Sequence, residues 1–151
     1  MMTATEHRPA ALYLGLALTA LVALAPLIDT ATAGSIAEHV RAAYPDWPAD
    51  HVRLERNAIV AWTAITNALG IPLWLWTIRL VGKGRRRART VAAWAFAAGA
   101  GLALLNLSFG SEQYETVLPP FFGLIGLLPS LVGLVALVAV WKRSAAPKET
   151  R

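Results

Sequence analysis

Four stretches of this chain are apolar for the length a helix needs to cross a bilayer: residues 10–28, 57–80, 91–109 and 118–141. At 1.5 Å per residue the first rises about 28 Å, against a hydrocarbon core about 30 Å thick. The middle of the second, Ala58 to Ile78, covers about 30 Å. No stretch alternates apolar and polar residues as a strand would, and none has the polarity of a soluble domain. The sequence therefore predicts an all-α membrane protein, a single bundle of four transmembrane helices with a short amphipathic helix in its first outer loop. Composition agrees: 56% of residues are hydrophobic and 15% charged, where soluble domains carry about 25% charge. The chain has no cysteine, which excludes disulfides, thiolate zinc sites, iron–sulfur clusters and thiol redox chemistry.

The direction of threading is set by one dense basic run, Lys83, Arg85, Arg86, Arg87 and Arg89, in the loop 82–90 between the second and third spans. With Arg79, Arg8 and the tail 142–151, that face of a four-span arrangement holds eleven of the fourteen Lys and Arg residues. The other face holds Arg41, Arg53 and Arg56. Short loops rich in Lys and Arg stay in the cytoplasm, so both termini are expected there, in a multi-pass protein of the inner (plasma) membrane. Such a cluster attracts anionic lipid headgroups, at about 1 kcal/mol per residue. A nucleic-acid partner is not expected. The loop has no interleaved aromatic residue to stack on bases, and it is too short for a nucleic-acid-binding fold.

The first span admits a second reading. Ala31-Thr32-Ala33 fits a small-x-small cleavage site, and Pro26 is placed to end an apolar helix, as in a secretory leader. Retention is favoured because the apolar run exceeds the roughly 7–15 residues of a leader and its positive flank is thin. In the outer loop, 29–56, Ser35-Ile36-Ala37-Glu38 fits a capping box for a helix to Tyr44 with Ile36, Val40, Ala43 and Tyr44 on one face. Asp46 is then a candidate cap for the next helix, which runs on into the membrane. Pro72 predicts a kink in the second span and Pro129 another in the fourth. Trp62 is expected at one interface and Trp74 and Trp76 at the other. Thr90 is placed to cap the third span.

Small residues recur at four-residue spacing, a pattern that lets helices pack closely in lipid. They include Gly15 in the first span, Ala97, Gly99 and Gly101 in the third, and Gly126, Ser130 and Gly133 in the fourth. The third span carries two such stripes and is the expected central helix. No Asp, Glu, Lys, Arg or His lies in the middle of any span, which argues against ion-coupled transport, proton pumping and voltage sensing. The intramembrane polar residues are Asn67, Thr19 and Asn106, with Thr63, Thr66, Ser108 and Ser130. Equal depth suggests an Asn67–Thr19 hydrogen bond, worth about 0.6 kcal/mol. In the outer loop His51 and Glu55, with His39 nearby, are the candidate metal ligands. A metal needs three or four converging donors, so a His51–Glu55 contact on a solvated face is the expectation. No nucleophile elbow, phosphate loop or intramembrane protease set is present. No catalytic residue and no cofactor is implied.

The pattern Tyr44-Pro45-x-x-Pro48, then a span, then Gly84-Arg85-Arg86-Arg87-Ala88-Arg89 at the head of the third span resembles uncharacterised small four-span integral membrane proteins of the actinobacterial type. Members often have Trp where Arg87 stands. The resemblance implies a four-helix architecture and supplies no activity. The sequence thus favours a non-enzymatic protein acting through helix contacts with a second copy or another membrane protein. A small transporter or lipid-binding protein built on Asn67 and the Pro72 and Pro129 kinks is the alternative, and a metal-dependent outer-face activity stands third.

Overall fold

The computed structural model describes residues 7–83, 87–108 and 117–145. Six helices follow one another: α1 (His7–Ala31), α2 (Ser35–Ala43), α3 (Ala49–Ala68), α4 (Gly70–Gly82), α5 (Ala88–Ser108) and α6 (Pro120–Ala145). No strand occurs among the described residues. Helices α3 and α4 form one apolar rod, and with α1, α5 and α6 they make four rods long and apolar enough to cross a membrane. Helices suit that task because each satisfies its own backbone amides and carbonyls. Gly84, Arg85 and Arg86 of the basic loop, the acidic turn with Glu112 and Glu115, and the tail beyond Ala145 lie outside the described residues.

Proline sets several boundaries. The break between α3 and α4 falls at Leu69, just ahead of Pro72, whose missing amide leaves the Ala68 carbonyl without its helical partner. Pro26 does not end α1; it is buried inside a helix that continues to Ala31. Helix α6 opens at Pro120, where a fixed φ and an absent amide do no harm, and the Phe122 amide bonds the Pro119 carbonyl at 2.9 Å. Two expected caps are not formed. Helix α3 is approached through extended Pro48 with no side-chain cap, and Asp46 is exposed. Thr90 lies inside α5, because the Val91 amide already bonds the Arg87 carbonyl at 3.0 Å.

The central helix is α1, which packs against α2, α3, α4 and α6, while α5 packs closely on α4 and α6. This corrects the choice of the third span. Small residues permit close approach without compelling it. In α1 the permission is used: Gly15, Thr19 and Ala23 are buried, and a methyl group added at Gly15 would overlap the Trp74 ring. In α5 it is not: Ala97, Gly99 and Gly101 are exposed, and a Cβ added at Gly99 or Gly101 meets nothing within 4 Å.

The apolar core lies at the α2 end of the bundle. Ile36 and Val40 of α2 are fully buried against Val52, Ile59 and Val60 of α3 and against Leu118 and Phe122 beside and within α6. The amphipathic face read from the sequence therefore packs on the bundle. Its helix starts differently from the expected capping box. Gly34 holds a left-handed conformation (φ 67°) that suits glycine, and Ser35 is already helical. The cap comes from Asp29, buried at the end of α1. Its carboxylate accepts from the Ser35 amide at 3.0 Å, the Ser35 hydroxyl at 2.6 Å and the Ile36 amide at 3.1 Å. One side chain thus fixes the turn between α1 and α2.

Candidate functional site

The polar residues of the four rods are not scattered. Thr19 from α1, Thr63, Thr66 and Asn67 from α3, Thr77 from α4, Asn106 from α5 and Ser130 from α6 all line one cavity of about 100 Å³ inside the bundle. A single water needs roughly 10–15 Å³ of such space, so the cavity holds several waters or part of a larger guest. Along α6 the lining runs from Phe122 to Leu137, a rise of about 22 Å. Spread over that length, the volume makes a narrow slot rather than a chamber. Gly99, Gly126 and Gly133 keep its walls thin on the α5 and α6 sides. None of the described lining residues is ionisable.

Hydrogen bonding decides what the slot offers a guest. Thr19, Thr63 and Thr77 each donate the hydroxyl proton to the carbonyl four residues back, at 2.8 Å. Thr66 does the same to Trp62 at 2.7 Å. With those protons committed, the threonine oxygens act as acceptors. The Asn67 amide nitrogen donates to the Thr63 carbonyl at 2.8 Å. A carbonyl takes only a donor, which orients the amide and leaves Asn67 Oδ1 without a partner among the described residues. Asn106 Oδ1 accepts the Trp62 indole N–H at 3.2 Å, leaving its own amide protons without a partner among the described residues. The lining is therefore apolar, uncharged and richer in acceptors than in donors.

The expected Asn67–Thr19 bond is not formed. Thr19 accepts instead from the Trp74 indole N–H, at 2.8 Å. The Trp74 ring lies over Gly15 and reaches toward Gly133, so it packs between α1 and α6. Sequence reasoning missed it because a tryptophan near the end of a span has an interfacial reading ready to hand. Trp62 and Trp76 are more than half exposed. Thr77, also missed, is placed one turn after Leu73 and points inward.

The other candidates stay apart. Among the described residues no three of His, Asp and Glu converge on a point. His51 packs edge-on against Trp47, with ring centroids 5.9 Å apart, and makes no bond to Glu55. Trp47 in turn stacks on Tyr44 at 3.8 Å. His39 is half-buried on α2. Of the basic loop, Lys83 and Arg87 are exposed and Arg89 is half-buried. Comparison with protein-family models, curated proteins and solved structures finds no match to this chain.

Proposed function

We propose that this chain is a multi-pass membrane protein that takes part of the hydrocarbon chain of a lipid-like molecule into a narrow slot of its bundle. The observation that carries the reading is the convergence of seven uncharged polar side chains, from α1 and α3 to α6, on one elongated cavity. Structural glue needs no shared cavity; a ligand slot does. The lack of ionisable lining favours a guest whose buried part is neutral, and it gives ion coupling no group to act through. The preponderance of basic residues around loop 82–90 and the tail supports both termini facing the cytoplasm, with the α2 end outside. Lys83, Arg87 and Arg89 then lie where anionic headgroups are met.

Gly99 and Gly126 supply a clean test. Both line the cavity, and a Cβ at either meets nothing within 4 Å, so a leucine there starts in open space and adds bulk at the wall of the slot. Each substitution also removes a helix glycine, worth about 0.8–1 kcal/mol in propensity. The G99L and G126L variants are expected to unfold at the wild-type midpoint or above it. They should nevertheless lose at least tenfold in affinity for a brominated long-chain alcohol, read by quenching of tryptophan fluorescence in nanodiscs. Equal quenching in wild type and both variants would sink the proposal.

A second reading retains the expectation from sequence that the protein works through helix contacts. Ala97 and Gly101 are exposed on the face of α5 away from the cavity, and Gly101 has open space before it. A second copy or another membrane protein would approach there. The G101L variant separates the two readings: it is expected to reduce crosslinked dimer in native membranes while leaving alcohol binding intact. Undiminished crosslinking would remove this reading.

A further inference from the structure

Helices α3 and α5 are not among the closely packed pairs of the bundle. Toward the α2 end they stand apart, and the described bond that spans them is Trp62 to Asn106. A crevice of about 360 Å³ fills the gap, lined by Glu55, Ala58 and Trp62 from α3, Leu105 from α5 and Val117 beside α6. It shares Thr63, Asn106 and Leu118 with the central cavity. The two spaces are therefore neighbours that share a wall, with the Trp62–Asn106 bond beside it. We propose that this crevice is the lateral mouth of the slot and the seat of the ligand's headgroup, and that Glu55 selects a cationic head on a single hydrocarbon chain. The proposal rests on the reading of the cavity as a chain slot.

Charge is the first argument. Glu55 is the only ionisable residue among the described residues that line the crevice. It is half-buried and has no partner among the described residues. The nearby cations are engaged elsewhere. Arg53 pairs with Asp50 at 3.0 Å, and the Arg56 guanidinium donates twice to Asn57 Oδ1, at 2.7 and 3.1 Å. A carboxylate with no partner among the described residues, in a largely apolar crevice, is stabilised by a cation that brings its own apolar body. Trp62 is the second argument. Trp62 lines the same crevice about two turns along α3 from Glu55, and its indole N–H is fixed by Asn106, so an aromatic ring and the carboxylate share one helix face and one crevice. Carboxylate and indole together suit an alkylammonium or quaternary ammonium group. The polarity gradient is the third. Charge sits at the mouth, acceptors line the passage, and none of the described residues that line the cavity is charged, which matches an amphiphile with one cationic end.

The test uses the full chain in nanodiscs and three brominated probes of equal chain length: an alkyltrimethylammonium, the alcohol and the alkyl sulfate. Wild type is expected to bind the ammonium probe about tenfold tighter than the alcohol, and the sulfate more weakly than either. The E55Q variant should bring the ammonium probe down to the alcohol without changing alcohol affinity, and E55D, which keeps the charge, should keep the preference. No preference in wild type, or one that survives E55Q, overturns the proposal. Failure here is distinguishable from failure of the chain slot. Alcohol binding that is lost in G126L but indifferent to E55Q, with no ammonium preference, leaves the slot and removes the headgroup site. Ammonium binding that needs Glu55 but is unchanged in G126L keeps the headgroup site and removes the slot.

Discussion

Replacing Trp74 by alanine is expected to lower the unfolding free energy of the bundle by about 3 kcal/mol, the low end for removing a large aromatic side chain from a packed interior. The ring is wedged between α1 and α6, over Gly15 and toward Gly133, and its N–H is donated to Thr19 at 2.8 Å. Packing outweighs the hydrogen bond here, because a bond of this kind inside a membrane protein is worth only about 0.6 kcal/mol. Trp74→Phe, which loses the N–H and one ring but keeps an aromatic wedge, should therefore cost about 1 kcal/mol. Gly15→Ala attacks the same contact from the other side. The added methyl overlaps the tip of the ring, so overpacking of about 1–3 kcal/mol is expected. The two changes share one space and cannot be additive. The double variant Gly15→Ala, Trp74→Phe should be more stable than the sum of its parts. Chemical denaturation in detergent micelles reads all four values. Additive losses would show that Trp74 and Gly15 do not share a packing site.

The contrast between Trp74 and the features that the sequence predicted well has a physical basis. The four apolar rods, the amphipathic face of α2 and the proline break ahead of Pro72 depend on composition and spacing within one segment. They are legible for that reason. Side-chain partners depend also on the rotation of each helix about its axis and on its tilt, which composition leaves open. Depth alone put Thr19 beside Asn67. Rotation put Thr19 beside Trp74 and turned Asn67 back onto its own helix. The same freedom hid the choice of central helix, since α1 and α5 carry similar small-residue stripes and only the packing of α2, α4 and α6 around α1 separates them. The cavity was partly legible. Six of its seven polar residues stood out as polar groups in apolar spans, but nothing in the sequence said that they converge. One further signal was present in the chain. Glu55, Ile59, Trp62 and Thr66 recur at helical spacing on a single face, which carries a carboxylate down onto the surface that becomes the crevice and then the cavity.

The Asp29 carboxylate offers the other large effect. Its alanine variant should lose about 2–3 kcal/mol, because three bonds to a charged acceptor vanish and two backbone amides at the start of α2 are left in a poorly hydrated turn. Asparagine is the informative replacement. One carboxylate oxygen, Oδ1, accepts from Ser35, and the other, Oδ2, accepts from the Ile36 amide. An amide side chain keeps one acceptor but points an N–H group at the second donor, so Asp29→Asn retains part of the cap at most and should lie between wild type and alanine. The effect reaches past the turn. Helix α2 holds Ile36 and Val40, both fully buried, against α3 and α6, and these contacts close the end of the bundle next to the crevice. Loosening α2 should thus expose the segment around residues 32–48 to limited proteolysis before the spans themselves unfold, with cleavage fastest in D29A, intermediate in D29N and slowest in wild type. A D29A variant that resists protease as wild type does would mean that the apolar face of α2, and not the carboxylate, fixes the turn. Ile36→Ala, which removes a fully buried side chain and leaves the cap intact, would then be the more damaging change, by about 2 kcal/mol or more.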